Sequence, residues 1–101
     1  MIPSLRDWHE KYESKGLVII GNHYPEFAYE AELDNLREAL VQLDVPYPIV
    51  QDNDRTNWSA FGVRYWPTLF LVDKNGHIRY QHIGEGRYAE IEEAIQILLE
   101  E

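Results

Sequence analysis

The stretch Gly62-Val63-Arg64-Tyr65-Trp66-Pro67-Thr68-Leu69-Phe70-Leu71-Val72-Asp73 decides how this chain is read. An aromatic-proline step runs straight into apolar and β-branched residues. Proline gives a ladder no N–H, so Pro67 belongs at the mouth of a strand and not inside it. X-Pro bonds alone turn cis at little cost, so a proline set just before a buried strand points to a fixed turn, cis where the fold requires it. The strand is expected over residues 68–73.

Downstream, Asp73-Lys74-Asn75-Gly76 is a hairpin signal, because Asn-Gly supplies positive φ. The return strand is expected over 77–83, with Ile78, Tyr80 and His82 on one face. Gly84-Glu85-Gly86 breaks it. A closing helix over 88–99 carries Ile91, Ala94, Ile95, Leu98 and Leu99 on one stripe.

Upstream, Ile2, Leu5, Trp8 and Tyr12 fall near one face of a helix over 2–14, with Pro3 tolerated in its first turn and Gly16 as a left-handed cap. Leu17-Val18-Ile19-Ile20-Gly21 is short, continuous and β-branched, which reads as a strand buried on both faces. Residues 22–27 form a loop at its C-terminal end, the edge where open α/β sheets tend to bind ligands. A helix over 30–43 carries Leu33, Leu36, Leu40 and Leu43 at helical spacing, with Glu30, Glu32 and Asp34 crowding its first turn. A short strand follows at 47–50, and Asp52-Asn53-Asp54 reads as the cap of a short helix over 54–61. The order α-β-α-β-α-β-β-α predicts one α/β sandwich domain over 1–101, of about four strands with helices on both faces.

Composition narrows the function. Eighteen acidic against nine basic side chains give a net charge of −9, which would repel nucleic acid phosphates. No apolar run reaches the length of a membrane span, so a soluble chain is expected. With no cysteine there is no disulfide, no thiolate metal site and no thiol chemistry in these residues. The spacings of His9, His23, His77 and His82 resemble no metal-ligand motif, and no metal or cofactor is expected. Asp52-Asn53-Asp54 lacks the later glycine and glutamate of a calcium loop. Asn57-Trp58-Ser59 fits a glycosylation acceptor by sequence alone.

Near the expected cleft, His23 reads either as an acid/base or substrate contact or as a hydrogen-bonded loop histidine. Trp58, Trp66 and Tyr65 read either as an aromatic binding wall or as a buried Trp58 with only Trp66 partly exposed. Glu26 reads as a solvated loop acid or a proton carrier.

Several stretches together resemble the thioredoxin-like redoxins, in the TlpA-like and AhpC/TSA branch that includes the thioredoxin-like domains of DipZ-type membrane proteins and NHL-repeat proteins. They are Ile2 to Tyr12, Gly16 to Phe27, Asp34 to Ala39, Tyr65-Trp66-Pro67-Thr68, and Asp73 to Gly76 with Gly84-Glu85-Gly86. The resemblance implies a thioredoxin-like sandwich, with Pro67 as the family's cis-proline and Trp66, Tyr65 and His23 beside a groove for an extended peptide. It implies thiol-disulfide oxidoreductase or antioxidant activity for the complete family member. The family's Cys-x-x-Cys opens the helix that begins here at Met1, and Pro3 resembles that helix's kink proline. The strand before that helix, central in the family sheet, has no counterpart here. The chain is therefore expected to be a truncated or degenerate redoxin without disulfide exchange of its own. The alternatives are a non-catalytic peptide-binding or self-association module and, last, an enzyme built on His23 and carboxylates. An unfilled centre of the sheet predicts direct pairing of strands 17–21 and 68–73, or a homodimer or strand-exchanged oligomer, or another partner chain. The compartment follows the start: cytoplasmic if Met1 is native, extracytoplasmic if a targeting segment precedes it.

Overall fold

The computed structural model describes residues 1–24 and 31–101. In chain order the elements are α1 (Ile2–Tyr12), β1 (Gly21–His23), α2 (Leu33–Gln42), β2 (Ile49–Gln51), α3 (Thr56–Ala60), β3 (Thr68–Val72), β4 (Ile78–Ile83) and α4 (Tyr88–Glu100). The predicted order is the observed one.

Pro3 sits in the first turn of α1, where its missing N–H costs nothing. A single tighter turn, Glu13–Lys15, follows, and Gly16 ends it at φ 112°. That conformation is strained for any residue with a Cβ. Leu17 N–H then donates to the Tyr12 carbonyl (3.0 Å) and turns the chain back along the helix.

The core is the contact of α1 with α4. Trp8, Tyr12, Ile91 and Ile95 are buried together, and Ile91 has no exposed surface. Leu17, Ile19, Leu69, Leu71 and Tyr80 pack against this cluster from the strand layer. Burial of each large aliphatic side chain there contributes about 1.5–3 kcal/mol. At the rim, the Tyr12 hydroxyl (2.9 Å) and the Lys11 ammonium (3.1 Å) both donate to Glu92 Oε1. The Lys11 and Tyr12 bonds together hold the Glu92 carboxyl below its ordinary value. On the other face of the strand layer, Phe61 meets Phe70, whose ring lies 5.2 Å away. Helical elements thus touch both faces of β3, as predicted.

The strands form two separate pairs. β1 runs parallel to β2, with Gly21 opposite Ile49 and His23 opposite Gln51. β3 runs antiparallel to β4, with Thr68 opposite Ile83 and Leu71 opposite Tyr80. Among the described residues no ladder joins the pairs. Strands 17–21 and 68–73 therefore do not pair directly.

Five expectations are corrected in detail. The ladder begins at Gly21, and Leu17–Ile20 lies outside it, because β2 reaches back only to Ile49 and, among the described residues, no strand pairs with the other edge. Nor is that segment buried on both faces: Leu17 and Ile19 face the core, but Val18 is 74% and Ile20 63% exposed. Helix α2 starts at Leu33, so of the three acids only Asp34 lies in its first turn; Glu32 is extended at the cap, and Glu30 lies outside the described residues.

At the hairpin, only Gly76 takes a positive φ (84°). The turn is held by the Asp73 carboxylate, which accepts from the N–H groups of Asn75 (2.9 Å) and His77 (3.0 Å). This Asx-type turn replaces the two positive-φ residues that Asn-Gly was expected to supply. It is followed by an irregularity in register between Leu71 and Val72, where Val72 opposes Ile78. The irregularity turns Ile78 outward, 53% exposed, away from the face of Tyr80 and His82.

Candidate aromatic groove beside Pro67

Three aromatic side chains from three segments of the chain converge next to Pro67. Tyr24 follows the last residue of β1, Trp58 lies in α3, and Trp66 precedes Pro67. Trp58 and Trp66 have ring centroids 4.6 Å apart, and Tyr24 lies 4.9 Å from Trp58. Tyr24 stacks on Trp66 nearly parallel, at 5.8 Å and 13°. Trp58 is buried, while Trp66 keeps half its surface in solvent (51%). The Arg55 guanidinium sits 5.4 Å over the Tyr24 ring. Such a cation–π contact at an exposed site is worth about 0.5–1 kcal/mol.

A buried carboxylate positions the wall. Asp52 is 4% exposed and accepts from the N–H groups of Asn57 (3.0 Å) and Trp58 (2.8 Å), the first turn of α3. It also accepts from the Asn22 amide (3.2 Å), and the Asn57 amide donates to Asn22 Oδ1 (3.0 Å). Asp52 N–H extends the β1–β2 ladder by donating to the His23 carbonyl (2.7 Å). β1, β2 and α3 are thereby fixed to one another at the residue that sets the Trp58 ring. Burial pushes the Asp52 carboxyl up, but the bonds from Asn57, Trp58, Asn22 and Thr56 outweigh it and hold the group below its ordinary value.

The turn itself is tied on both sides. The Trp66–Pro67 peptide bond is cis. The Thr68 hydroxyl donates to the Tyr65 carbonyl (2.6 Å), and Gly84 N–H donates to the Pro67 carbonyl (2.8 Å).

Of the residues singled out in the sequence, the structure brings Trp58, Trp66 and Pro67 together. Trp58 is buried, as one reading has it, and its ring packs against the half-exposed Trp66. Tyr65 is 61% exposed and joins no ring contact among the described residues. His23 ends β1 half-buried, one residue before Tyr24. Glu26 lies outside the described residues. His77 is exposed, and among the described residues no three His, Asp or Glu side chains gather as metal ligands do. His9 Nδ1 and His82 Nε2 are buried without a hydrogen-bond partner among the described residues. The Asp52 carboxylate accepts from first-turn N–H groups of α3, the cap role expected of Asp52-Asn53-Asp54. The Asn57 amide, at the glycosylation triplet, is occupied by Asn22.

Sequence reading missed Tyr24, Arg55 and Asn22. Tyr24 carried a usable signal, its place just past a β-branched strand at the ligand-binding edge. Arg55 carried none, because its position over Tyr24 depends on a left-handed backbone (φ 63°) that its sequence does not announce.

Chemically, the wall offers flat apolar faces and one nearby cation. Such a surface suits an extended backbone or a flat side chain. With no thiol in 101 residues, it has no disulfide-exchanging nucleophile of its own.

This arrangement is that of the thioredoxin-like α/β proteins. The solved thioredoxin-like superfamily protein SPOA0173 superposes with a TM-score of 0.86 at 24% identity, covering 99% of this chain and 69% of that one. The chain belongs to the AhpC/TSA family, whose model matches residues 1–81. It is a domain of the redoxin, thiol-disulfide oxidoreductase type. It is 37% identical over 98 residues to protein DipZ of Mycobacterium tuberculosis, covering 97% of this chain and 14% of that protein. It is 28% identical over 93 residues to the thiol-disulfide oxidoreductase ResA of Bacillus thuringiensis, covering 90% of this chain and 50% of ResA. The chain thus spans half or less of these two relatives. Among the described residues no helix is long and apolar enough to cross a membrane.

Proposed function

We propose that these 101 residues form a peptide-binding redoxin domain that does not exchange disulfides by itself. The half-exposed Trp66 ring, packed against both Tyr24 and Trp58 beside Pro67, carries this reading. An exposed indole backed by a buried one is a rigid apolar platform, and rigid aromatics lose little entropy when a ligand covers them. Tyr65 and His23 flank the platform along the chain. In a longer protein that supplies a thiol pair, as the name of ResA indicates for that relative, the same groove would hold the substrate polypeptide.

Two measurements test this. An insulin disulfide-reduction assay on the chain alone should give background rates, and clear turnover would overturn the reading. Titration with an alkylated, unfolded polypeptide should quench tryptophan emission, and Trp66→Ala should weaken binding about tenfold, the loss of one well-packed aromatic contact. Equal binding by wild type and Trp66→Ala would remove the groove from the account.

A further inference from the structure

Two arginines open helices in this chain from the same backbone conformation, and their side chains are used differently. Arg55 precedes α3 and Arg87 precedes α4, both in the left-handed region, at φ 63° and 54°. That conformation suits glycine or asparagine, so the backbone gives no reason for a long cation at either place. Arg87 reaches the Glu90 carboxylate three residues on (3.7 Å). The same place after Arg55 is held by Trp58, and the Arg55 guanidinium lies over the Tyr24 ring instead. Arg6, Lys11 and Arg79 also have carboxylate partners. Arg55 is exposed and has none among the described residues, in a chain with eighteen acids to nine bases.

The charge around the groove follows the same pattern. Residues 55–72, bounded by Asp54 and Asp73, are the longest run in the chain without an aspartate or glutamate, and they hold Arg55 and Arg64. This run contains Trp58, Trp66 and Pro67, and it is locally positive while the whole chain carries −9. The Asp52 carboxylate does not offset it at the surface, because that group is buried and accepts from Asn22, Asn57 and Trp58. A carboxylate approaching most of this molecule meets like charge; beside Trp66 it meets an unpaired guanidinium.

We propose that Arg55 makes the aromatic groove selective for polypeptides that carry an acidic side chain close to the residue covering Trp66. The inference rests on the groove reading given above and adds the class of segment the groove prefers. The rings set the spacing. Arg55 lies 5.4 Å from Tyr24, and Tyr24 lies 5.8 Å from Trp66, which together span at most about three residues of extended chain at roughly 3.3 Å each. Contact with Tyr24 restrains the guanidinium before a ligand arrives, so less freedom is lost when its N–H groups donate to a carboxylate. Its planar fork matches both carboxylate oxygens.

The test follows tryptophan emission of the 101-residue chain with two peptides blocked at both ends, so that no terminal charge enters. Each has a central phenylalanine; one carries a glutamate two residues to either side, the other a glutamine at the same places. The glutamate peptide should bind about fivefold tighter, the upper range for an exposed ion pair. Arg55→Gln should bring the ratio near one. So should Arg55→Gly, which suits the left-handed backbone and keeps α3 in place. Arg37→Gln removes the same charge from an exposed site on α2 and should keep the ratio. Equal binding of the two peptides, each weakened by Trp66→Ala, would overturn the selectivity and leave the groove standing. A ratio that survives both Arg55 variants, or falls as much with Arg37→Gln, would overturn it in favour of overall charge. Binding of neither peptide would overturn the groove and the selectivity together.

Discussion

The two strand pairs of this domain have similar roles in the fold and very different support. β3–β4 is a continuous hairpin whose inner residues lie on the buried α1–α4 cluster. β1–β2 is three residues long on each side, and the buried residues Leu36, Tyr47 and Trp58 stand outside the α1–α4 cluster. The hairpin half is held by apolar packing. The β1–β2 half is held largely by polar bonds that converge on Asp52. A local strand pair can persist without a large core if one buried, fully bonded group joins its elements.

The comparison can be broken most forcefully at Ile91. Ile91→Ala leaves a cavity in the fully buried cluster and should cost about 2–5 kcal/mol in urea unfolding. A loss below about 1 kcal/mol, the scale of a surface change, would show that the α1–α4 contact does not dominate. Leu36→Ala should cost less, about 1–3 kcal/mol, because the α2 site can relax toward solvent. It should speed amide exchange in β1–β2 while leaving β3–β4 slow. Uniform acceleration across both pairs would merge the two halves into one cooperative unit.

Asp52→Asn sharpens the comparison through pH. The folded carboxyl lies below its ordinary value of 3.8. Its stabilising contribution is therefore fully present above that value and is lost as pH falls through the folded one. The amide that replaces it does not titrate, so the variant should melt below wild type at neutral pH. The gap should narrow as the pH falls below the ordinary carboxyl value. A gap that stays constant from neutral to strongly acidic pH would mean that the charge contributes nothing. The smallest effect is expected at Arg79. It bonds Glu101 twice (2.6 and 3.0 Å) and Asp73 once (3.2 Å) at the surface. Exposed pairs of this kind contribute little, and Arg79→Ala should leave the melting temperature almost unmoved at physiological salt.

Much of this was legible in the chain. The apolar stripes of α1 and α4 declared the core because helical burial repeats with a fixed period. Trp66-Pro67 marked the opening of β3 because proline is excluded from a strand interior. Asp52 was readable as a cap from its place before α3. What escaped depended on contacts between distant segments. Val18 and Ile20 looked buried because a β-branched run does not reveal whether a neighbouring strand is present. Tyr24 and Arg55 came together only through tertiary packing. Ile78 changed face because of an irregularity that alternation cannot foresee.

The tryptophans also divide the molecule optically. Trp8 belongs to the helix layer, whereas Trp58 and Trp66 are near enough, at 4.6 Å, for their indole transitions to couple as an exciton. The near-ultraviolet dichroism of the native chain should therefore contain a couplet from the groove pair alone. A ligand that tilts Trp66 would change its sign or size while the Trp8 band stays fixed. The domain carries its own chromophore for watching the groove, with no label attached.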